Sequence, residues 1–191
     1  MNRWIKILAA ASAATFIAAC GSDDDDSQAP VAAPVSIAET AQGAGLNALV
    51  AAATKAGLVP TLSDDSQNLT VFAPTDAAFT SLATTLGFAD AGAMVDALSA
   101  SDLAKILQFH VLAGRKTAAD LAAAGASQPT LYSFDGSATT LAVNTASGVK
   151  LTDAVLTEAT VSTADVAATN GVVHVIDKVL VPPGVLNVVR M

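Results

Sequence analysis

The chain holds a single cysteine, Cys20, among 191 residues. No intramolecular disulfide can form, so any fold here must hold without a covalent cross-link. A stretch of about 150 residues can bury a self-sufficient core without a metal or a cross-link. Hydrophobic residues make up 52% of the chain, but alanine fills 43 of its 191 positions. Alanine buries little area, so the core is leaner than that percentage implies.

The cysteine also closes a distinctive N-terminal segment. Arg3 and Lys6 form a short basic start, and residues 7–19 are uncharged and almost wholly apolar or small. That is the pattern of a secretory signal peptide, assigned to residues 1–19. The apolar run stops short of the roughly 20 residues a membrane-spanning helix needs. Ile17-Ala18-Ala19-Cys20 resembles the lipobox of bacterial lipoproteins. In that family the cysteine thiol receives a diacylglyceryl group, the peptide is cut before it, and the new amino terminus is acylated. The resemblance implies lipidation of Cys20 and a membrane partner held through the N-terminal lipid. Two acyl chains suffice for stable anchoring. Gly21, not Asp, follows the anchor, which by the same resemblance favours the outer membrane of a bacterial cell envelope, on its periplasmic or its surface-exposed side.

Residues 20–35 carry Asp23-Asp24-Asp25-Asp26, then Pro30 and Pro34. Like charges repel and proline blocks helix, so this segment reads as an extended, solvated tether. The formal net charge is −8. Nine Lys and Arg, nowhere clustered, exclude a nucleic-acid partner, because phosphate contacts need grouped cations.

Residues 36–184 read as one domain, followed by a tail at 185–191. Leu46, Leu49, Val50 and Ala53 repeat at helical spacing, so 46–56 is expected as an amphipathic helix ended by Gly57. Residues 69–72 read as a strand. Thr75 or Asp76 is positioned to cap a helix through Phe79 and Leu82. A weaker helix is expected at 93–98. Ser101 is expected to cap another, with Leu103, Ile106, Leu107 and His110 on one face. An alanine-rich helix at 116–124 stops at Gly125. From Pro129 onward Thr, Val and Gly dominate, and 139–143, 149–151, 155–161 and 172–181 read as strands. Asp135-Gly136 and Asn170-Gly171 are hairpin-turn signals. Helices first and strands later predict an α+β domain.

Three segments carry a family resemblance. They are Leu69-Thr70-Val71-Phe72-Ala73-Pro74-Thr75-Asp76-Ala77-Ala78-Phe79, then Ile106-Leu107-Gln108-Phe109-His110-Val111-Leu112-Ala113-Gly114, then the run from Asp165 through Asn170-Gly171-Val172-Val173-His174 to Leu180. In this order and spacing they resemble the fasciclin domain family, over about residues 36–183. The resemblance implies a twisted, wedge-shaped antiparallel β-sandwich with flanking helices. It implies extracellular display and contact with cells, proteins or matrix polymer, and it implies no enzyme activity. Many members have Tyr-His where this chain has Phe109-His110. Some animal members use Asp-Ile for integrin contact where this chain has Asp165-Val166. Those four residues are the candidate interaction positions, and integrin-type adhesion is not expected.

Individual residues argue the same way. His110 lies on an apolar helix face and His174 among valines, so both are expected as buried, hydrogen-bonded histidines. Two histidines and a cysteine committed to lipid fall short of a zinc site, which takes three or four ligands. Thr75, Asp76, Asn170, Gly171 and His174 are expected to be structural, with Gly171 supplying a left-handed turn. Asp165 and Asp177 flank one hairpin, but nothing marks either as a glycosidase carboxylate. No nucleophile elbow or phosphate loop occurs, so neither a catalytic residue nor a cofactor is expected. Tyr132 is the only Tyr or Trp beyond the signal peptide, too few for a sugar-stacking platform. The expected function is a membrane-anchored contact module for a surface protein or matrix polymer. The alternative is a carrier of an apolar small molecule such as a carotenoid or lipid, in a groove left by the alanine-rich helices.

Overall fold

The computed structural model describes residues 35–146 and 148–185. The segment expected as a signal peptide, the expected lipidation site Cys20, the expected tether up to residue 34 and the tail beyond 185 lie outside the described residues. The helices are α1 (Ile37–Gly43), α2 (Asn47–Lys55), α3 (Val59–Leu62), α4 (Asp76–Thr85), α5 (Ala91–Ala97), α6 (Ala100–Phe109) and α7 (Ala118–Ala123). The strands are β1 (Leu69–Pro74), β2 (Val111–Ala113), β3 (Ser127–Phe134), β4 (Ser137–Asn144), β5 (Lys150–Thr152), β6 (Glu158–Ala168) and β7 (Gly171–Ile176).

Short polar side chains start most of the helices, because the first backbone N–H groups of a helix have no partner within it. Thr75 accepts from the Ala78 amide, Asp90 from that of Ala93, and Ser99 from that of Asp102. The cap of α6 is therefore Ser99 rather than Ser101, whose hydroxyl instead bonds the Ser99 hydroxyl at 2.8 Å. Ser36 and Glu39 form a reciprocal capping box on α1, a helix the periodicity reading does not anticipate.

The seven strands close into a barrel in chain order, β1 meeting β7. This corrects the expected antiparallel sandwich in two respects. The β1–β7 pair is parallel, and the sheet has no free edge between two layers. The physical reason lies in β6 and β3. The start of β6 pairs with β5, and its remainder pairs with β7 through two register shifts. Likewise β3 meets β2 at Thr130 and β4 on either side of an irregularity. Strands that bend from one face to the other join the faces and remove the edges.

Burial follows from this closure. All six residues of β1 are buried, as expected of a strand covered on both faces. Successive side chains point to opposite faces. Leu69, Val71 and Ala73 therefore join the helices in one apolar cluster with Leu49, Phe79 and Val173. Phe72 points the other way, into a barrel interior with Phe109, Leu112, Tyr132, Leu141, Leu151 and Ile176.

Turn chemistry separates two superficially similar dipeptides. Asp135 and Gly136 have φ of 51° and 76°, the double left-handed turn that matches hairpin twist. The β6–β7 turn is instead Thr169-Asn170, flanked by the Ala168–Gly171 pair. Gly171 is not left-handed, which corrects that expectation. Glycine is required there because a Cβ would run into the Leu69 carbonyl oxygen of the parallel neighbour.

Candidate functional site

The three motif segments meet as one seam. β1 pairs with β2 on one side and β7 on the other, so residues far apart in sequence become neighbours. Their polar side chains act as ties across that seam.

Phe109 and His110 end α6 inside the protein, each 1% exposed. The His110 ring donates from Nδ1 to the Ile106 carbonyl at 2.7 Å and accepts from the Leu180 amide at Nε2, 2.9 Å away. Those partners fix the neutral tautomer. Burial pushes the imidazole pKa down from 6.5 to about 4, since desolvation disfavours the charged form. Phe109 meets Tyr132 edge-on at 6.4 Å between ring centres. Both residues are thereby corrected as interaction candidates: neither offers surface to a partner.

His174 is fully buried and stacks on Phe72 with 5.5 Å between centroids. Its Nδ1 accepts from the Asp165 amide at 3.2 Å, and its Nε2 donates to the Lys116 carbonyl at 2.9 Å. Asp165 sits at a β6 irregularity with φ of 60°. Its exposed carboxylate accepts from the Ala118 amide at 2.8 Å, on the first residue of α7. Val166 is half-buried beside it. Of the four candidate interaction residues, only these two reach the surface, and Asp165 is engaged in holding a helix start.

Thr75 and Asp76 divide the labour. Thr75 caps α4, whereas Asp76 reaches back to α2, accepting from the Ala48 amide at 2.9 Å and the Asn47 side chain at 3.2 Å. Asn170 is buried and spends both ends of its amide: Oδ1 accepts from the Ile37 amide at 2.9 Å, and Nδ2 donates to the Leu62 carbonyl at 2.9 Å. It ties the entry of the domain to α3 and the β6–β7 turn. Asp177, at the far end of the hairpin, accepts from the Thr160 amide at 2.7 Å. The two hairpin aspartates thus hold separate backbone segments.

Two groups escape the sequence reading. Thr70 donates to the Gly114 carbonyl at 2.7 Å and accepts from the Lys116 amide at 2.8 Å. Asp153, 5% exposed, accepts from the amides of Val155 and Thr157 with one oxygen and from Val181 with the other. Its bond to the amide of Val155, two residues on, is a turn signal of the kind aspartate provides. Its bond to Val181 has no local signature.

Each Lys and Arg among the described residues is also bonded within the domain. Lys55, Arg115 and Lys178 donate to backbone carbonyls, Lys116 to Gln128, and Lys105 and Lys150 to Asp102 and Glu158. Among the described residues no group of three or more His, Cys, Asp or Glu is placed to hold a metal ion. The space between α1, α2 and the outer faces of Val71 and Val173 is about 20 Å³. That is room for a water molecule.

A helix-covered closed barrel whose shared polar residues are internal ties defines the class of domain. Its family follows from comparison: the Fasciclin domain model matches residues 44–182, and the chain belongs to the fasciclin domain family. It is 38% identical over 161 residues to Protein sll1483 of Synechocystis sp., covering 82% of this chain and 79% of that one. It is 29% identical over 154 residues to a fasciclin-like arabinogalactan protein of Arthroderma benhamiae, covering 80% of this chain and 32% of that one. A solved FAS1 domain pair from the insect cell adhesion molecule Fasciclin I superposes with a TM-score of 0.62 at 17% identity. That match covers 79% of this chain and 52% of the insect chain, so the chain spans about half of the pair, and the likeness is one of fold.

Proposed function

We propose that this protein is a non-enzymatic contact module, held to a bacterial cell envelope by lipid on Cys20 and meeting a surface protein or matrix polymer through its exposed face. The observation that carries the reading is the commitment of the motif side chains. His110, His174, Asn170, Asp76 and Asp165 each spend their polar atoms holding backbone together, which leaves the outer surface as the part that works. The names of two relatives support contact as the role, since one is an adhesion molecule and another an arabinogalactan-type protein.

The lipobox-like Ile17-Ala18-Ala19-Cys20 and the acidic run after it support an anchored domain on a solvated spacer. A deletion strain is expected to lose surface attachment or cell–cell aggregation, and the wild-type gene to restore it. Cys20→Ser is expected to shift the protein from the membrane to the soluble fraction. Attachment unchanged in the deletion strain under every condition tried overturns the contact role. Membrane retention of Cys20→Ser overturns the anchor.

A further inference from the structure

After β7 the chain leaves the sheet as a strap, residues 178–185, laid over both apolar clusters. Val179 and Val185 are buried on the helix side, and Leu180 closes on the barrel interior. Among the described residues the strap's backbone bonds go to side chains alone. The Leu180 amide donates to Nε2 of His110 at 2.9 Å, and the Val181 amide to Asp153 at 3.0 Å. The Tyr132 hydroxyl donates to the Pro183 carbonyl at 3.2 Å. Pro182 and Pro183 have no amide to give. By contrast β7 pairs with β1 from Gly171 to Ile176 and with β6 on its other side. Segments without such a ladder open at lower free energy than the sheet they adjoin.

His110 is the fixed side of its bond to the strap. Its own carbonyl accepts from the Phe72 amide of β1 at 2.9 Å, and its Nδ1 donates to the Ile106 carbonyl. A proton on Nε2 would set two N–H donors against each other and bury an unpaired cation. The neighbouring charges are engaged elsewhere. Asp102 and Lys105 of α6 pair with each other. Asp177 accepts from the Thr160 amide, and Lys178 donates to the Glu158 carbonyl. Asp153 meets Val181, and Tyr132 of β3 meets Pro183.

We infer that residues 178–185 are an acid-sensitive strap, in which protonation of His110 displaces Leu180 and opens the strap while the barrel stays closed. Opening uncovers Leu82, Leu86, Leu98 and Ile106, against which the strap now packs to within about 20 Å³. The sign follows from linkage. Burial holds the ring near a pKa of 4 in the closed state, against 6.5 for a solvated ring. The open state therefore takes up the proton that the closed state refuses, and opening is favoured as the pH falls from 6.5 toward 4. Between pH 7.5 and pH 5 the opening constant rises about 30-fold.

The test is amide hydrogen exchange by NMR on the full chain, corrected for the intrinsic pH dependence of exchange. The Leu180 and Val181 amides are expected to be at least about tenfold less protected than those of β1 and β7 at both pH values. Their opening is expected to rise about 30-fold from pH 7.5 to pH 5. In His110→Gln, which keeps an acceptor and loses the titration, the rise is expected to fall below about threefold. Should that variant fail to fold, the wild-type profile decides, because a rise that begins near pH 6.5 lies above the carboxylate range. Strap amides as protected as the barrel's, or a strap opening that does not change with pH, overturns the proposal. So does an equal rise in His110→Gln. A rise at the Asp165 amide, which His174 accepts, without one at Leu180 assigns the effect to the other histidine and overturns it too.

Discussion

The backbone N–H of Leu180 donates to Nε2 of His110 across 2.9 Å. The bond joins the segment after β7 to the last turn of α6, and it exists only while that nitrogen is unprotonated. His110 keeps its neutral form because burial holds its pKa near 4 against 6.5 in the unfolded chain. The unfolded state thus binds a proton, between those two values, that the folded state refuses. Stability from this residue is full above pH 6.5 and is lost as the pH falls toward 4. By linkage the loss is roughly 2 kcal/mol between pH 7.5 and pH 5. Urea unfolding of wild type and His110→Asn at the two pH values is the measurement. The variant is expected to be less stable at pH 7.5 and to show a smaller difference between the two conditions. An equal pH dependence in both proteins counts against the assignment.

Asn170 and Gly171 share the β6–β7 turn region for different reasons, and substitution separates them. Asn170→Ala strands the Ile37 amide and the Leu62 carbonyl, both bonded by the buried side chain. Leaving buried polar groups unpaired costs about 1–3 kcal/mol each, so a loss of roughly 2–6 kcal/mol is expected by chemical denaturation. Gly171→Ala drives a methyl group into the Leu69 carbonyl and is expected to abolish soluble expression. The contrasting variant is Gly136→Ala, left-handed at φ of 76° with open space around it, and its cost is about 1–2 kcal/mol. Equal effects of the two glycine substitutions would remove the steric argument.

These cases show what a sequence can carry. Helices and their ends were legible where the signal is local: leucines at helical spacing gave α2, and Thr75 beside Phe79 gave α4. The capping box of Ser36 and Glu39 was an available signal for α1, hidden by its position beside a proline-containing acidic run. Barrel closure was not legible, because a parallel β1–β7 pair leaves no turn between its strands. Its trace is the unbroken burial of Leu69–Pro74, which marks a strand covered on both faces. The apolar helix face already places His110 inside, against its candidacy by resemblance as an interaction residue, whereas Phe109 carried no such signal and only the fold shows it pointing inward. Asp165 was legible as a charge but not as the group that accepts from Ala118, since that partner lies 47 residues away.

Asp76 illustrates the same point and yields its own prediction. Its neighbour Thr75 caps the helix that follows in sequence, yet Asp76 caps the start of α2, accepting from Ala48 and Asn47. A cap of this kind contributes about 0.5–2 kcal/mol. Asp76→Ala is expected to destabilise by that amount, and Thr75→Ala by a similar amount through α4. Hydrogen exchange distinguishes them: Asp76→Ala raises exchange of amides in α2, and Thr75→Ala raises exchange in α4. Loss of protection confined to α4 in both variants would contradict the tie to α2.

Asp153 is the remaining tie whose removal has a local and a distant consequence. One carboxylate oxygen holds the turn through Val155 and Thr157, and the other holds Val181 on the way to the C-terminal residues. Asp153→Ala removes three hydrogen bonds to a nearly buried acceptor, for an expected loss of about 2–4 kcal/mol. Asp153→Asn keeps one acceptor oxygen and replaces the other with a donor. It can hold the turn or receive Val181, but not both, so an intermediate loss is expected. Limited proteolysis reads the local effect, with cleavage near Leu156 faster in Asp153→Ala than in wild type at equal folded fraction. If cleavage there is unchanged while stability falls, Asp153 supports the Val181 segment and not the turn at Leu156.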